Sequence, residues 1–170
     1  ELVKTMRASV LVMGPLLAKY GKAKISQPGG CNIGTRPIDF HLKGLEMMGA
    51  KIESDKKFIY LKAQKLNPID FTFPKVSVTG TENLMMAASL TLGKTVLRNC
   101  AKEPEVAELA NFLNSCGARI SGAGGSIIEI EGTELLNGQK WKILSDRIEA
   151  GTYLIAAAIT NGHVKVNNIS

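Results

Sequence analysis

Apolar and polar positions follow a pattern that recurs along this chain. Three segments each begin with polar residues, continue as an apolar run of helical spacing rich in Ala, Leu and Met, and end in a short alternating strand: residues 6–26, 81–99 and 147–168. They recur at intervals of roughly seventy residues, which indicates copies of one structural unit. In each copy a glycine follows the helix, and we expect Gly21, Gly93 and Gly162 to end the helices in a left-handed conformation.

A second pattern lies between the copies. An amphipathic helix at 38–48 leads into a strand at 49–54, and a helix at 104–116 leads into a strand at 117–122. Further alternating segments predict strands at 57–63, 126–132 and 139–144. Each unit then has the order helix, strand, helix, strand, strand, which predicts an α/β fold of repeated modules.

Two finer predictions concern single segments. The most apolar helices, 84–92 and 153–159, are expected to be central and covered by sheets. The glycine-rich stretch 122–126 lies between two predicted strands and opens no helix, so it is typical of a hairpin turn and not of a dinucleotide loop.

Composition narrows the class of protein. With 170 residues, 45% of them hydrophobic and 21% charged, the chain is typical of a globular domain. No apolar run is long enough to cross a bilayer, and the missing initiator Met and leader favour an internal piece of a longer protein. The three cysteines lack zinc-site spacing and favour a cytoplasmic location. The net charge of +6 is compatible with an anionic small molecule, nucleic acid or solubility alone.

Cys31 lies in the loop sequence PGGCNIGTRPIDFH, residues 28–41. A flexible loop exposes this cysteine and Arg36 supplies positive potential, which favours a reactive thiolate; a loop cysteine without a role is the alternative. Pairing with His41, as in a Cys–His hydrolase, is a weaker hypothesis because His41 falls inside a helix pattern.

Several residues near predicted helix starts could bind anions. Arg36 and Pro37 precede a helix whose free N–H groups favour an anion, and Arg7 stands near the start of the first helix. Lys75 and Ser77 precede another helix, where a ligand or a helix cap would explain them.

Two pairs of acidic residues also lie at predicted helix starts. Capping and the helix dipole explain these pairs without catalysis: Glu103 with Glu105, and Asp146 with Glu149.

Taken together, these motifs resemble the UDP-N-acetylglucosamine enolpyruvyl transferases, also called 1-carboxyvinyltransferases. The resemblance runs in order along essentially the whole chain and rests on residues 4–9, 28–41, 75–88, 102–113 and 145–158. It implies a two-lobed α/β fold, an inside-out barrel in which each lobe repeats a βαβαββ module about a pseudo-threefold axis. Residues 1–144 would form most of one lobe without its first module, and residues 145–170 would begin a module of the other lobe.

The resemblance also implies a set of site residues. Cys31 would donate a proton, form a covalent adduct with phosphoenolpyruvate and be the target of fosfomycin, on a loop that closes like a lid. The residues expected to bind the substrates are Arg7, Arg36, Pro37, Ile38, Asp39, Phe40, Lys75, Val76, Ser77 and Val78. Thr79 and Gly80 stand where the family more commonly has Gly and Ala.

The implied reaction moves the enolpyruvyl group of phosphoenolpyruvate to the 3-hydroxyl of UDP-N-acetylglucosamine and releases phosphate, the first committed step of bacterial peptidoglycan synthesis. No metal, organic cofactor, nucleic acid or membrane partner is implied. The family's early Lys-Asn pair and later aspartate and arginines have no counterpart here, so we expect no phosphate release by this chain alone. The alternatives are the shikimate-pathway enolpyruvyl transferase, which has no matching Gly-Gly-Cys loop, an RNA-end-processing or RNA-binding module of related fold, and a non-catalytic scaffold domain.

Overall fold

The computed structural model describes the backbone of residues 7–27 and 38–169 and, Arg7 excepted, their side chains. The chain divides into two compact units, and the division follows Gln139. The sequence boundary that we predicted lies at residue 144, and the assignment of the two parts to two lobes stays a prediction.

The first unit contains two copies of one module. The first copy comprises a 3-10 helix Arg7–Val12, α1 Met13–Tyr20, β1 Lys22–Ser26, α2 Asp39–Met47, β2 Lys51–Ser54 and β3 Phe58–Lys62. The second comprises β4 Asp70–Thr72, α3 Val78–Ser89, β5 Gly93–Arg98, α4 Pro104–Ser115, β6 Arg119–Ser121 and β7 Ile127–Gly132. The predicted order helix, strand, helix, strand, strand is confirmed in both. The second copy begins with a strand that we had not predicted, β4, which completes a βαβαββ module.

The two modules form sheets with the same strand order. Sheet A has the order β1-β3-β2, and sheet B has the order β4-β5-β7-β6. Thus β1 corresponds to β5, β3 to β7 and β2 to β6. Strands β6 and β7 pair antiparallel around residues 122–126, where Gly122 and Gly124 have positive φ, so the predicted hairpin is confirmed.

Helix α3 lies at the centre of this unit. Leu84, Met85, Ala87 and Ala88 are each 0% exposed, as the apolar pattern on all sides of the helix predicts. It packs against α1, α2, α4 and strands β5 and β7. Its neighbours approach closely because they carry glycine at the contact: a Cβ at Gly14 of α1 would collide with Asn83.

The predicted helix stops are only partly confirmed. Gly21 ends α1 with a φ of 66°. Gly93 does not end α3, because the helix stops earlier, at Ser89, and Gly93 opens β5. The prediction for Gly162 is wrong, since Asn161 adopts the left-handed conformation after α5, with a φ of 50°. Asparagine also tolerates this conformation.

The closest match between the modules is at the ends of α2 and α4. Gly49 and Gly117 follow these helices with φ of 100° and 105°. The Ala50 amide donates to the Leu45 carbonyl at 3.0 Å, and the Ala118 amide donates to the Leu113 carbonyl at the same distance. Both ends therefore form the Schellman motif, in which the next residue bonds back across the last turn.

The second unit begins at Lys140. It contains α5 Arg147–Ile159, whose N-cap Asp146 accepts hydrogen bonds from the Ile148 and Glu149 amides, as capping predicts. The strands predicted at 139–144 and after Gly162 do not form. The prediction that sheets cover the helix at 153–159 is also wrong, since Tyr153, Ile155 and Ile159 are 57%, 64% and 79% exposed. The described part of this unit holds one helix and no strand, so it offers no sheet to cover them.

Among the described ranges, no helix is both long and apolar enough to span a membrane. Within the same ranges, no cluster of His, Cys, Asp and Glu side chains is arranged to hold a metal ion. Cys100 and Cys116 are buried and form no disulfide.

Candidate functional site

The structure brings two of the predicted substrate-binding runs together. Ile38 caps α2, and Asp39 and Phe40 open it. Ser77 caps α3, and Val78 opens it. His41 on α2 and Thr79 on α3 join the first turns of the two helices, with 3.2 Å between His41 Nε2 and Thr79 Oγ1. Two helix starts therefore meet, and the N-terminal end of a helix is a place where an anion is favoured.

Part of the predicted site lies outside the described residues. This holds for Cys31, Arg36 and Pro37, and for the side chain of Arg7. The backbone of Arg7 begins the 3-10 helix, which packs against α3. The roles of all these residues in substrate binding stay predictions.

A buried polar network holds α1, α2 and α3 in place. The Gly14 amide donates to Asn83 Oδ1 at 2.7 Å, so the Asn83 amide nitrogen faces His41 Nδ1, 2.9 Å away. His41 Nδ1 then accepts, and its Nε2 carries the hydrogen that it donates to Thr79. Asn83 is 0% and His41 3% exposed. Both ring nitrogens bond to α3, and Cys31 lies outside the described residues, so the pairing of Cys31 with His41 stays a hypothesis.

The loop before α3 is fixed at its end and open at its middle. Ser77 Oγ accepts a hydrogen bond from the Gly80 amide at 3.1 Å, which confirms the predicted cap. A Cβ at Gly80 would lie 2.8 Å from Ser77 Oγ, so glycine leaves room for this cap. Lys75 and Val76 are exposed. They can therefore contact a ligand without disturbing the helix start.

Three carboxylates cluster near the starts of α3 and α4. Glu82 lies one turn after Val78 on α3, and burial together with the charges of Glu105 and Glu103 raises its pKa to about 6. Glu103 is the N-cap of α4, yet its side chain makes no capping hydrogen bond. Its Oε2 is buried and has no hydrogen-bond partner among the described residues. Side-chain capping therefore does not explain Glu103, contrary to that part of our prediction. Within the cluster, Glu82 can change its protonation state at a pH of about 6.

Sequence reasoning did not single out Glu82 or Asn83. A signal was present for Glu82, because it is the one acidic residue of an otherwise uncharged buried helix, Val78–Ser89. Asn83 gave no comparable signal, since its role depends on residues of α1 and α2 far away in the chain. Thr79 was noted only as a departure from the family pattern.

The buried cysteines differ from what is predicted for Cys31. Cys100 is 1% exposed, and burial raises its pKa to about 11. Its thiol therefore stays protonated and unreactive at neutral pH. Cys100 and Cys116 thus serve as internal references for the reactivity of Cys31.

A known protein family matches this chain. Residues 1–170 match the family described as EPSP synthase (3-phosphoshikimate 1-carboxyvinyltransferase) over their whole length. The chain belongs to the EPSP synthase family.

Curated relatives of this EPSP synthase family member are much longer. A protein of Coxiella burnetii (strain Dugway 5J108-111) named UDP-N-acetylglucosamine 1-carboxyvinyltransferase is 55% identical over 170 residues, covering 99% of this chain and 39% of the relative. The protein of that name from Coxiella burnetii (strain RSA 493 / Nine Mile phase I) gives the same values. The chain thus spans about two fifths of the length of these relatives.

Solved structures show the same fold for this family member. The enolpyruvyl transferase NikO from Streptomyces tendae matches with a TM-score of 0.70 and 21% identity, over 86% of this chain and 36% of that one. EPSP synthase from Acinetobacter baumannii matches with a TM-score of 0.65 and 22% identity, over 89% of this chain and 34% of that one. The predicted enolpyruvyl transferase fold is confirmed, although the described part of this chain does not close a barrel.

Proposed function

We propose that this chain is part of an enzyme that transfers the enolpyruvyl group of phosphoenolpyruvate to the 3-hydroxyl of UDP-N-acetylglucosamine. The observation that carries the proposal is the high identity, along the full chain, to relatives named for this reaction. The contact between the starts of α2 and α3 supports it, because it joins the two sequence runs assigned to one substrate.

In the proposed site, the sugar nucleotide binds across the starts of α2 and α3. The described residues assigned to it are Ile38, Asp39, Phe40, Lys75, Val76, Ser77 and Val78. Arg36 and Pro37, which lie outside the described residues, and the side chain of Arg7 complete the set. Lys75 is a cation in a loop that leads to a helix start, a combination suited to a diphosphate. The buried pair of Asn83 and His41, with the exposed Thr79, contacts no ligand in this proposal and acts by positioning the two runs.

The proposed reaction is an addition followed by an elimination. The 3-hydroxyl oxygen bonds to the central carbon of phosphoenolpyruvate and releases its proton to water, while the Cys31 thiol gives a proton to the methylene carbon. The methyl group so formed then loses a proton, which returns to the Cys31 thiolate, and phosphate leaves, which restores the double bond in the transferred group. Cationic side chains would stabilise the charge that develops around both phosphorylated substrates. We propose that neither metal nor organic cofactor takes part.

This reaction belongs to peptidoglycan precursor synthesis, and we propose the corresponding cellular context. It comprises a cytoplasmic location, a contribution to cell wall biogenesis, cell shape, the cell cycle and cell division, inhibition by fosfomycin through Cys31, and no nucleic acid or membrane partner. The shikimate-pathway alternative is less well supported, because the EPSP synthases among the solved structures share the fold at low identity, whereas the relatives with high identity are named for the sugar nucleotide.

The test is the rate of alkylation of each cysteine against pH, with and without UDP-N-acetylglucosamine, followed by peptide mass spectrometry. We expect Cys31 to react well below the midpoint of about 8.5 that a free cysteine shows, and the sugar nucleotide to change its rate. Cys100 and Cys116 should stay unmodified until the chain unfolds, because they are 1% and 6% exposed.

Two results would argue against the proposal. A Cys31 that reacts like a free cysteine and ignores the sugar nucleotide would remove the proposed role of its loop. A response of Cys31 to shikimate 3-phosphate, with none to the sugar nucleotide, would favour the shikimate-pathway enzyme instead.

A further inference from the structure

Three lysines form a row across sheet A. Lys22 of β1 lies opposite Lys62 of β3, and Lys62 lies opposite Lys51 of β2. Residues opposite each other in antiparallel strands point to the same face, so the three ammonium groups share one surface. All three side chains are exposed. Like charges in such positions destabilise a sheet, so local folding does not explain the row.

The row borders a groove that we call groove A, lined by residues 17–22, 49, 51 and 62–66, with a volume of about 800 Å³. Lys19 and Lys65 also line it, and no acidic residue does. Among the described residues, the ion pairs of the structure involve none of these five lysines. The end of α1 carries partial negative charge and explains Lys19. The helix dipole does not explain the row of Lys22, Lys62 and Lys51.

The groove is held by backbone bonds and does not depend on its lysines for shape. Gly21 turns the chain from α1 into β1 with a φ of 66°, and its carbonyl accepts a hydrogen bond from the Ala63 amide at 2.9 Å. On the far side, the Asn67 amide donates to the Met48 carbonyl at 2.9 Å. These bonds tie α1 to β3 and the end of α2 to the segment after β3, so the lysines stand on a fixed frame.

The second module provides an internal reference for this charge pattern. The corresponding row of sheet B contains Lys94, Glu131 and Arg119, with Glu131 opposite both cations. Arg119 pairs with Glu131 at 3.1 Å, and Lys94 pairs with Glu129 at 3.0 Å. These residues line the corresponding groove, groove B, formed by residues 92–94, 114, 118–121 and 129–132, with a volume of about 760 Å³. The same frame is thus neutralised in groove B and left cationic in groove A, where Lys62 takes the place of Glu131.

We propose that groove A binds a small anion with several clustered phosphates. An ammonium group is a compact charge with three donors that suits phosphate oxygens, and five of them line this groove. Neighbouring strands are about 4.8 Å apart, so the row spans about 10 Å and one compact polyphosphate can reach all of it. The volume falls in the range of small-molecule sites.

The neighbouring aromatic residues favour a small anion over single-stranded RNA. Phe58 and Tyr60 lie on the same face of sheet A as the row. The Lys24 ammonium lies 4.2 Å from the centre of the Phe58 ring and 5.2 Å from that of Tyr60. A cation therefore already occupies the rings, and it competes with the stacking of bases on which single-strand recognition depends.

Groove A is separate from the site of the proposed function. None of the residues assigned to the substrates lines it. Gly14, near the start of α1, contacts the network beside that site, while Lys19 and Gly21 lie at the other end of the helix, about 9 Å along its axis. The proposal does not depend on the enolpyruvyl transfer.

The test measures binding of inorganic tripolyphosphate and of ATP to this chain by calorimetry at low salt. We expect Lys62→Glu, which gives groove A the pattern of groove B, to weaken tripolyphosphate binding by at least about tenfold. Lys43→Glu, an exposed residue of α2 outside both grooves, changes the net charge equally and should leave binding within about twofold. The ratio of ATP to tripolyphosphate affinity shows whether a nucleoside contributes beyond its phosphates.

The reciprocal substitution in groove B tests the same charge pattern. Glu131→Lys in groove B should create a second tripolyphosphate site, because all three residues of that row are then cationic.

The milder Lys62→Gln gives a further check on groove A. It should raise the melting temperature of the protein in the absence of anion and reduce the stabilisation by tripolyphosphate. Equal loss in Lys62→Glu and Lys43→Glu would overturn the proposal in favour of general charge attraction. Binding of a single-stranded RNA that depends on Lys62, without any response to tripolyphosphate, would overturn it in favour of a nucleic-acid surface.

Discussion

The hydroxyl of Thr79 is the acceptor that completes the network around His41. Thr79→Val keeps the shape of the side chain but removes this partner of the His41 N–H. Because Thr79 is itself exposed and water can reach this position, we expect the free energy of unfolding to fall by about 0.5 to 1.5 kcal/mol. Thr79→Ser keeps the hydroxyl and should recover most of the loss. Urea denaturation of the three proteins measures the difference. Equal stability of the valine and serine variants would show that the hydrogen bond contributes nothing.

Glu82 makes the stability of this chain depend on pH in a definite direction. Its folded-state pKa of about 6 is higher than its ordinary value of 4.5, so the native state holds the proton more tightly than the unfolded chain. Stability from this group is fully present below pH 4.5 and is lost as the pH rises through about 6.

Glu82→Gln should therefore stabilise the protein at pH 8 relative to pH 5. We expect a gain of about 1 kcal/mol at pH 8, roughly half of what the shift alone corresponds to, because the side chain is partly solvated. Unfolding experiments at both pH values measure this gain. The control is Glu134→Gln, which makes the same change at an exposed position. A gain of equal size at pH 5 and pH 8 would contradict the role of ionisation.

At the level of elements, the approach of α1 to α3 depends on a single missing side chain. Gly14→Ala places a Cβ against the Asn83 carbonyl and side chain, and we expect a net loss of about 1 to 3 kcal/mol as the helices separate. The Gly14 amide should also lose its protection from hydrogen exchange, since its bond to Asn83 is disturbed.

Gly151→Ala is the matched control, because Gly151 also lies in a helix but has nothing within 4 Å of the added Cβ. It should be neutral or stabilising by up to about 1 kcal/mol, since alanine is the better helix former. Thermal unfolding followed by circular dichroism compares the two variants. If Gly14→Ala were tolerated as well as Gly151→Ala, close packing would not be the reason for glycine at position 14.

The sequence predicts elements where periodicity and burial agree. Helices α2 and α4 have an apolar stripe and a glycine after their last turn, and both were located to within two residues. β4 was missed because it has three residues, Asp70–Thr72, and, unlike the equally short β6, follows no helix whose end would mark its start. The strand predicted at 139–144 alternates correctly, but the described part of its unit has no second strand with which to pair. Periodicity shows which face a segment could bury and not whether a partner exists.

At the scale of the whole molecule, the repeat could be read from the sequence and the assembly of the site could not. The repeat is visible because both modules need the same apolar positions and the same glycines at the ends of α2 and α4. The site depends on contacts between residues 38–41 and 75–83, and above all on Asn83, whose amide joins two other helices. No local pattern encodes which buried polar group faces which partner, so only the structure shows it.

The central position of α3 also sets an order of events during translation. All strands of sheet A precede Val78 in the chain, so the ribosome delivers them before the helix on which the first module packs. Until α3 has emerged, the faces of α1 and α2 that carry Gly14 and Gly44 lack the helix against which they pack in the folded structure. The nascent first module therefore exposes its core to chaperones and proteases, and its period of vulnerability ends with the synthesis of the second.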